Sequence, residues 1–297
     1  MNRKFPSMLV ILIIYMIATL IGILTFRILN LESVLLKIFI ADVVATIFIW
    51  IIGLVLKNAS LYDPYWSVAP PVIFILFMIH KQYAWNTVTI LSMIGLSVWS
   101  IRLTLNWAKG WIGFQEQDWR YTMIQKRAPK IYLISNLFGI HLMPSAIVFI
   151  QLLTIEKLFS LTVTSNVIVF IGFLIMIISA LTQYVADEQM RSFKHKTQGE
   201  KRCIEEGLWK YSRHPNYFGE IMVWWGFYLI YFGVSFTIDL HVIAPLFMTL
   251  LFVFISIPMM EKKILLTRPA YKEYQERVSM LIPFFRKEVE PKISEES

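Results

Sequence analysis

MLVILIIYMIATLIGILTF, residues Met8–Phe26, carries no charged side chain from end to end. A bilayer core is crossed by about 20 apolar helical residues, and this run has that length. Arg3 and Lys4 precede it, as they would a signal peptide. The run is too long for a signal-peptide core, however, and no small-residue cleavage site follows it. It therefore predicts a first transmembrane helix. Seven more apolar segments follow, giving eight at about 8–29, 33–56, 68–80, 86–108, 133–153, 163–187, 217–236 and 240–262. The chain is 57% hydrophobic and only 16% charged, where a soluble domain carries about 25% charge. The predicted fold is an all-α, polytopic transmembrane bundle of seven to eight spans. The third segment is short and follows a proline-rich approach, so it is expected either to span or to lie tilted and half-inserted.

Lysine and arginine set the sidedness. With eight spans and the N-terminus inside, twenty-three of the 28 basic residues fall on the inner side. Four (Arg27, Lys37, Lys81 and Lys157) fall outside, and Arg102 lies within a span. That asymmetry places both termini in the cytoplasm. No internal repeat of the transporter kind is present. The organisation expected is one membrane-embedded domain, 1–285, with a charged cytoplasmic tail, 286–297. Short loops and a single cysteine favour a bacterial inner membrane over the endoplasmic reticulum.

The net charge of +8 sits in loops, where the positive-inside bias accounts for it, and no nucleic-acid signature accompanies it. Cys203 is alone, which excludes an intrachain disulfide and a cysteine-based zinc site. The five histidines are scattered with no pair at ligand spacing, so no metal is expected.

The polar segments 57–71, 109–130, 187–217 and 261–283 all fall on the inner face. In GLWKYSRHPNYFGEIMVWWG, residues 207–226, Arg213, His214, Asn216 and Glu220 stand where the chain enters lipid. Pro215 suits a first helical turn, and Asn216 and Glu220, four apart, share a face. Exposed N–H groups at a helix start beside Arg and His make an anion site. Snorkelling to headgroups explains Arg213 but not Glu220, which favours a bound ligand as the charge partner. Asp187 and Arg191 form an i,i+4 pair at the end of the sixth span. Tyr271, Tyr274 and Arg277 are expected on an interfacial helix. Asp42 and Arg102 are intramembrane charges, functional or paired with one another. His141 and Gln151 are expected to be satisfied interhelical hydrogen bonders.

GLWKYSRHPNYFGE, preceded by Ala186-Asp187 with Phe193 and followed by Glu261 and the RPAYKEY stretch, resembles the C-terminal half of the steroid 5α-reductase superfamily. YDPYW (62–66) and Arg102 with EQDWRY (116–121) are similar to that superfamily's uncharacterised bacterial branch, domain of unknown function 1295. The resemblance spans 60–285, is strongest over 183–226, and extends to isoprenylcysteine carboxyl methyltransferases. It implies that Asp187, Arg191, Tyr211, Arg213, His214, Asn216, Tyr217 and Glu220 face NADPH, together with Arg102 and Arg120. Arg and His suit phosphates through charge-assisted hydrogen bonds, whereas Asp, Asn and Glu suit ribose and carboxamide groups. On the substrate side the resemblance implies Asp63, Glu116 and Tyr121. By its residue type alone Asp63 is either a carboxyl donor to a substrate carbonyl or a helix N-cap. Trp99 stands where the resemblance leads one to expect the reductases' catalytic tyrosine, so either Tyr121 or Tyr65 is the donor or the substrate is not an enone steroid.

Three functions are compatible with these residues. The first is an NADPH-dependent reductase of a C=C bond in a lipophilic, steroid-like or polyprenyl substrate. The second is a SAM-dependent methyltransferase using RHPxYxG and Glu261. The third is a non-enzymatic lipid-binding protein. Glu220 after Gly219 and the Asp187/Arg191 pair favour the first, with a pocket open to the cytoplasm and laterally to lipid.

Overall fold

The computed structural model describes residues 4–160, 165–198 and 200–287. All but the first two residues of the charged tail lie outside them. The elements are α1 (Lys4–Ile28), α2 (Val34–Val55), α3 (Tyr65–Lys81), α4 (Thr87–Gly110) and the short α5 (Trp119–Arg127). They continue as α6 (Pro129–Phe159), α7 (Val167–Lys196), α8 (Pro215–Ser235), α9 (Leu240–Thr267) and the short α10 (Tyr271–Arg277). No strand occurs among the described residues. Among the described residues, eight helices are long and apolar enough to cross a membrane. The third is completed by a 3₁₀ turn, Ala59–Tyr62, so Ala59–Lys81 is spanning length and the eight-span alternative holds.

Local sequence explains where the helices begin. Ser33 accepts from Leu36 N at the start of α2, and Asn86 and Thr89 form a reciprocal capping box on α4. Asn166 accepts from Ile168 N and Val169 N to open α7. Each satisfies N–H groups that have no partner inside the helix. A π turn over Asn136–Leu142 interrupts α6, and another over Phe252–Ser256 interrupts α9.

The core divides in two. A larger apolar cluster centres on α4, α7 and α8, where Trp99, Trp224, Met176, Val223 and Ile230 are fully enclosed. A smaller one joins α1, α2 and the start of α3 around Ala18, Ala45, Ile49 and Tyr62. α7 and α8 approach closely because both offer glycine at the crossing. A Cβ on Gly226 would stand 2.7 Å from the Gly172 carbonyl oxygen, too near for any side chain. Small residues at such crossings are what membrane helices use to pack. The outer flanks of the bundle remain apolar, with Leu12, Ile13, Met16 and Leu20 of α1 exposed.

Eight crossings bring the loops 57–64, 111–128, 197–214 and 268–287 to one face. Contacts between them follow: Asn58 donates to Phe114 O, and Arg286 donates to Lys210 O and Glu205 O, while Lys4 Nζ at the start of α1 donates to Lys109 O near the end of α4. Both ends of the described chain meet this face, called the polar face below.

Candidate functional site

Three groups of polar side chains occupy the polar face. The first lies between α4, α7 and α8. Arg102 of α4 reaches across to Asp187 and Gln183 of α7, both within short hydrogen-bonding contact. Asn216 Nδ2 donates to the other Asp187 oxygen at 3.4 Å. One helical turn deeper, the buried Glu220 carboxyl accepts from Trp99 Nε1 at 2.9 and 3.0 Å and from Trp224 Nε1 at 3.2 Å. Asp187, Arg102, Asn216 and Glu220 thus converge, as the resemblance implies, although their partners differ from expectation. Arg102 is joined to Asp187 and not to Asp42, whose oxygen instead accepts from Tyr65 Oη at 2.8 Å. The pair expected between Asp187 and Arg191 does not form. Arg191 turns toward the helix rim, where it meets Glu188 and Asn106. A guanidinium and a carboxylate partly withdrawn from water attract each other more strongly than in bulk solvent, and the half-buried Asp187 takes Arg102, whose side chain is similarly enclosed.

Two donors in this first group are left over. Arg102 Nε and Gln183 Nε2 are buried and have no acceptor. Buried N–H groups without partners are uncommon in native proteins.

The second group ties the start of α8 to the C-terminal segment. Arg213 Nε donates to Glu261 Oε1 at 2.7 Å, and its Nη1 donates to the carbonyls of Gln275 and Val278. His214 Nε2 lies 3.0 Å from the same Glu261 oxygen, Tyr271 Oη donates to it at 3.2 Å, and Gln275 donates to Oε2 at 2.7 Å. The charge partner of Arg213 is therefore a carboxylate of the chain itself, which corrects the expectation that a ligand supplies it. Tyr271, Tyr274 and Arg277 share the short helix α10, as expected, but its two tyrosines face the chain itself. Tyr271 and Tyr274 are buried, and Tyr274 Oη donates to Trp209 O at 2.5 Å. Burial, with the Glu261 carboxylate beside it, raises the Tyr271 phenol well above its usual range.

The third group joins the start of α3 to the 111–128 loop. Asn58 donates to the carbonyls of Phe114 and Glu116 at 3.0 and 2.8 Å, and Asp118 caps α5 while pairing with Arg120. Tyr121 Oη donates to the Asp63 carboxyl in a short contact. Asp63 is not the N-cap of α3, since Pro64 holds that position without a side-chain bond. Burial, reinforced by the neighbouring Asp63, holds the Tyr121 hydroxyl well above the ordinary phenol range. Glu116 does not join the pair: its side chain is exposed, and only its backbone is engaged. Tyr65 is committed to Asp42.

Tyr217 stands between the groups. Its ring stacks on His214 at 5.3 Å and leans on Phe252 at 4.8 Å, and it lies within electrostatic range of Arg120, Asp118 and Asp187. Lys263 closes the opposite side, 3.7 Å above the Trp119 ring. Tyr211 sits at the rim, partly exposed and edge-on to Phe285. Gln183, Asn106, Gln275 and Lys263 were not singled out from sequence. Gln183 alone left a trace, a polar residue four before Asp187 in an otherwise apolar run. Farther down, Gln151 bridges to Ala244 O at 2.7 Å as expected. His141 does not match its expectation: Nδ1 contacts Asn136 O within its own π turn, and Nε2 has no partner.

Beside Pro64, a groove of about 520 Å³ runs between α1, α3 and α4, lined by Met8, Leu12, Tyr15, Thr104 and Trp107. Fold and site together define a multi-pass helical membrane protein with a buried polar cluster at one face and apolar clefts beside it. The DUF1295 family, proteins of unknown function, matches residues 49–278, and the chain belongs to it. An uncharacterized protein of Schizosaccharomyces pombe is 26% identical over 206 residues, covering 61% of this chain. The aligned part spans 60% of that protein's length. No solved structure matches.

Proposed function

We propose that the protein is a membrane-embedded, NADPH-dependent reductase of a C=C bond conjugated to a carbonyl in a lipophilic compound. The observation that carries this reading is the pair of buried donors without acceptors, Arg102 Nε and Gln183 Nε2, inside the Asp187–Asn216–Glu220 cluster. A carboxamide or ribose oxygen placed there satisfies both. The resemblance of this stretch to the steroid 5α-reductases supports the same ligand. Arg102, Gln183 and Asn216 hold the nicotinamide end in this reading. Arg213 is committed to Glu261 and Arg120 to Asp118, so Lys263 is the better-placed cation for phosphate, with Arg120 beside it. A reduced nicotinamide supplies hydride when bound.

The chain's own residues supply the rest. The lipophilic compound enters through the groove between α1 and α4, whose wall includes Pro64. Tyr121 donates its one hydroxyl hydrogen to Asp63 in the structure; with substrate bound that hydrogen turns to the carbonyl oxygen, and a protonated Asp63 carboxyl donates in its place to the phenol oxygen and orients it. The polar face is the cytoplasmic one on the lysine and arginine bias, and the membrane is a bacterial inner membrane.

Thermal unfolding of the detergent-purified protein with NADPH, NADH or SAM tests this. A ligand that binds only the folded state at a hundred times its dissociation constant stabilises by about 2.7 kcal/mol. NADPH is expected to stabilise, and Gln183→Leu to remove most of the shift. Stabilisation by SAM alone overturns the reductase in favour of methyl transfer at the Arg213–His214–Glu261 group. No shift with any of the three leaves the non-enzymatic, lipid-binding reading.

A further inference from the structure

The helices that the family match does not reach or only partly reaches, α1 and α2, form a second cavity together with α3. It lies between α1, α2 and α3, has a volume of about 240 Å³, and is walled by Ala18, Gly22, Ala41 and Ala45 among larger aliphatic residues. Small side chains on facing helices leave it open: a Cβ on Gly22 would meet only Ala41 O at 3.6 Å and the Ala45 Cβ at 3.8 Å, ordinary contact distances. Its two ends differ chemically. The inner end presents Tyr15, Tyr65 and Asp42. Asp42 is 8% exposed, and Tyr65 Oη donates to one of its oxygens at 2.8 Å. The other oxygen has no hydrogen bond from any described residue. The outer end, at the face opposite the polar one, presents Arg27 and His80. Lys37 lies close by, above the Phe26 ring at 4.5 Å, with the His80 ring edge-on to Phe26 at 4.8 Å. Arg27, Lys37 and Lys81 make no ion pair with a described residue, and Glu32 on the same loop makes none either.

We propose that this cavity binds a single-chain lipid with an acidic head at Arg27 and a hydroxyl on its chain that donates to Asp42. The course of the cavity selects one chain: its lining follows α1 from Tyr15 to Arg27 past the small side chains of Gly22, Ala41 and Ala45, a path along which one extended chain lies. Charge selects the head, because unpaired cations at the lipid–water boundary favour an anion. Asp42 selects the hydroxyl: one of its oxygens is taken by Tyr65, and the other, with no donor from a described residue, is available in the cavity lining to accept. Arg27 and Tyr15 are twelve residues apart on α1, about 18 Å at 1.5 Å per residue, which puts the hydroxyl near the middle of a long fatty acid. The site does not depend on the cofactor reading, because neither Asp42 nor Arg27 belongs to the Arg102–Asp187–Glu220 cluster. It shares only Tyr15, Thr19 and Val68 with the groove beside Pro64.

The test is thermal unfolding in a non-ionic detergent with 12-hydroxystearate, stearate and neutral octadecanol. The expected order of stabilisation is 12-hydroxystearate above stearate above octadecanol. Gly22→Phe, which fills the cavity, is expected to abolish all three shifts. Arg27→Gln is expected to bring stearate down to octadecanol, and Asp42→Leu to remove the advantage of the hydroxyl. Arg27 is exposed, so its variant reads out even if a cavity variant folds poorly. Equal shifts for the three lipids in the unaltered protein overturn the proposal, as does a shift that survives Gly22→Phe or an acid preference that survives Arg27→Gln.

Discussion

Glu220 shows what a single residue in this bundle requires. A carboxyl enclosed among α4, α7 and α8 is stabilised only if donors reach it, and here both its oxygens accept from Trp99 while Trp224 adds a third bond. The indole at this position therefore both fills the space between the helices and anchors the acid. Trp99→Phe keeps an aromatic ring but removes the donor, and is expected to cost about 2–3 kcal/mol through lost packing and an under-bonded carboxyl. Glu220→Gln in the same background should recover part of that loss, because an amide is less costly to leave under-bonded. A double-mutant cycle by chemical unfolding in detergent checks this, and additive losses would mean the two side chains do not interact. The sequence made Glu220 legible as a polar residue inside a span. It did not make Trp99 legible as its partner, because the two are joined across 121 residues by helix packing that no local spacing encodes.

At the scale of elements, Arg213 acts as a clasp. Its backbone N–H donates to Ser279 O at 2.8 Å, its guanidinium holds the Gln275 and Val278 carbonyls, and Glu261 supplies the opposite charge. One side chain thus fastens the start of α8, the end of α9 and the segment after α10. Removing one member of a buried ion pair leaves the other uncompensated, at a cost of roughly 3–5 kcal/mol. Arg213→Ala is expected to raise amide hydrogen exchange sharply across 271–283 while α4 and α7 stay protected. If exchange rises only in the presence or absence of a nucleotide, Arg213 is a ligand contact and not a clasp. The start of α8 at Pro215 was readable from the SRHPNY stretch because proline favours a first turn. The clasp was not, since a basic residue at a lipid boundary is equally consistent with a phosphate, a headgroup or a carboxylate until the C-terminal segment is placed.

For the molecule as a whole, the eight crossings were legible because each apolar run carries its own length. Even the short third segment resolves once the 3₁₀ turn at Ala59–Tyr62 extends it. Which face meets the cytoplasm is a separate matter, and the chain contains its own probe. Cys203 lies in the 197–214 loop on the polar face, half-buried against Tyr271, Tyr274 and Val278. Burial raises its thiol pKa above the ordinary value, so less of it is thiolate at neutral pH and its alkylation should be slow there, speeding up as pH rises. In intact cells a membrane-impermeant maleimide is expected to leave Cys203 unmodified and to label it once the membrane is opened. Cys203→Ser combined with Thr237→Cys moves the thiol to the exposed loop between α8 and α9, on the opposite face, and should label in intact cells at once. The reverse pattern would turn the bundle over. It would place the Arg102–Asp187 cluster away from cytosolic nucleotides, and the reductase reading would fail with it, whereas the lipid cavity at Arg27 would simply face the other leaflet.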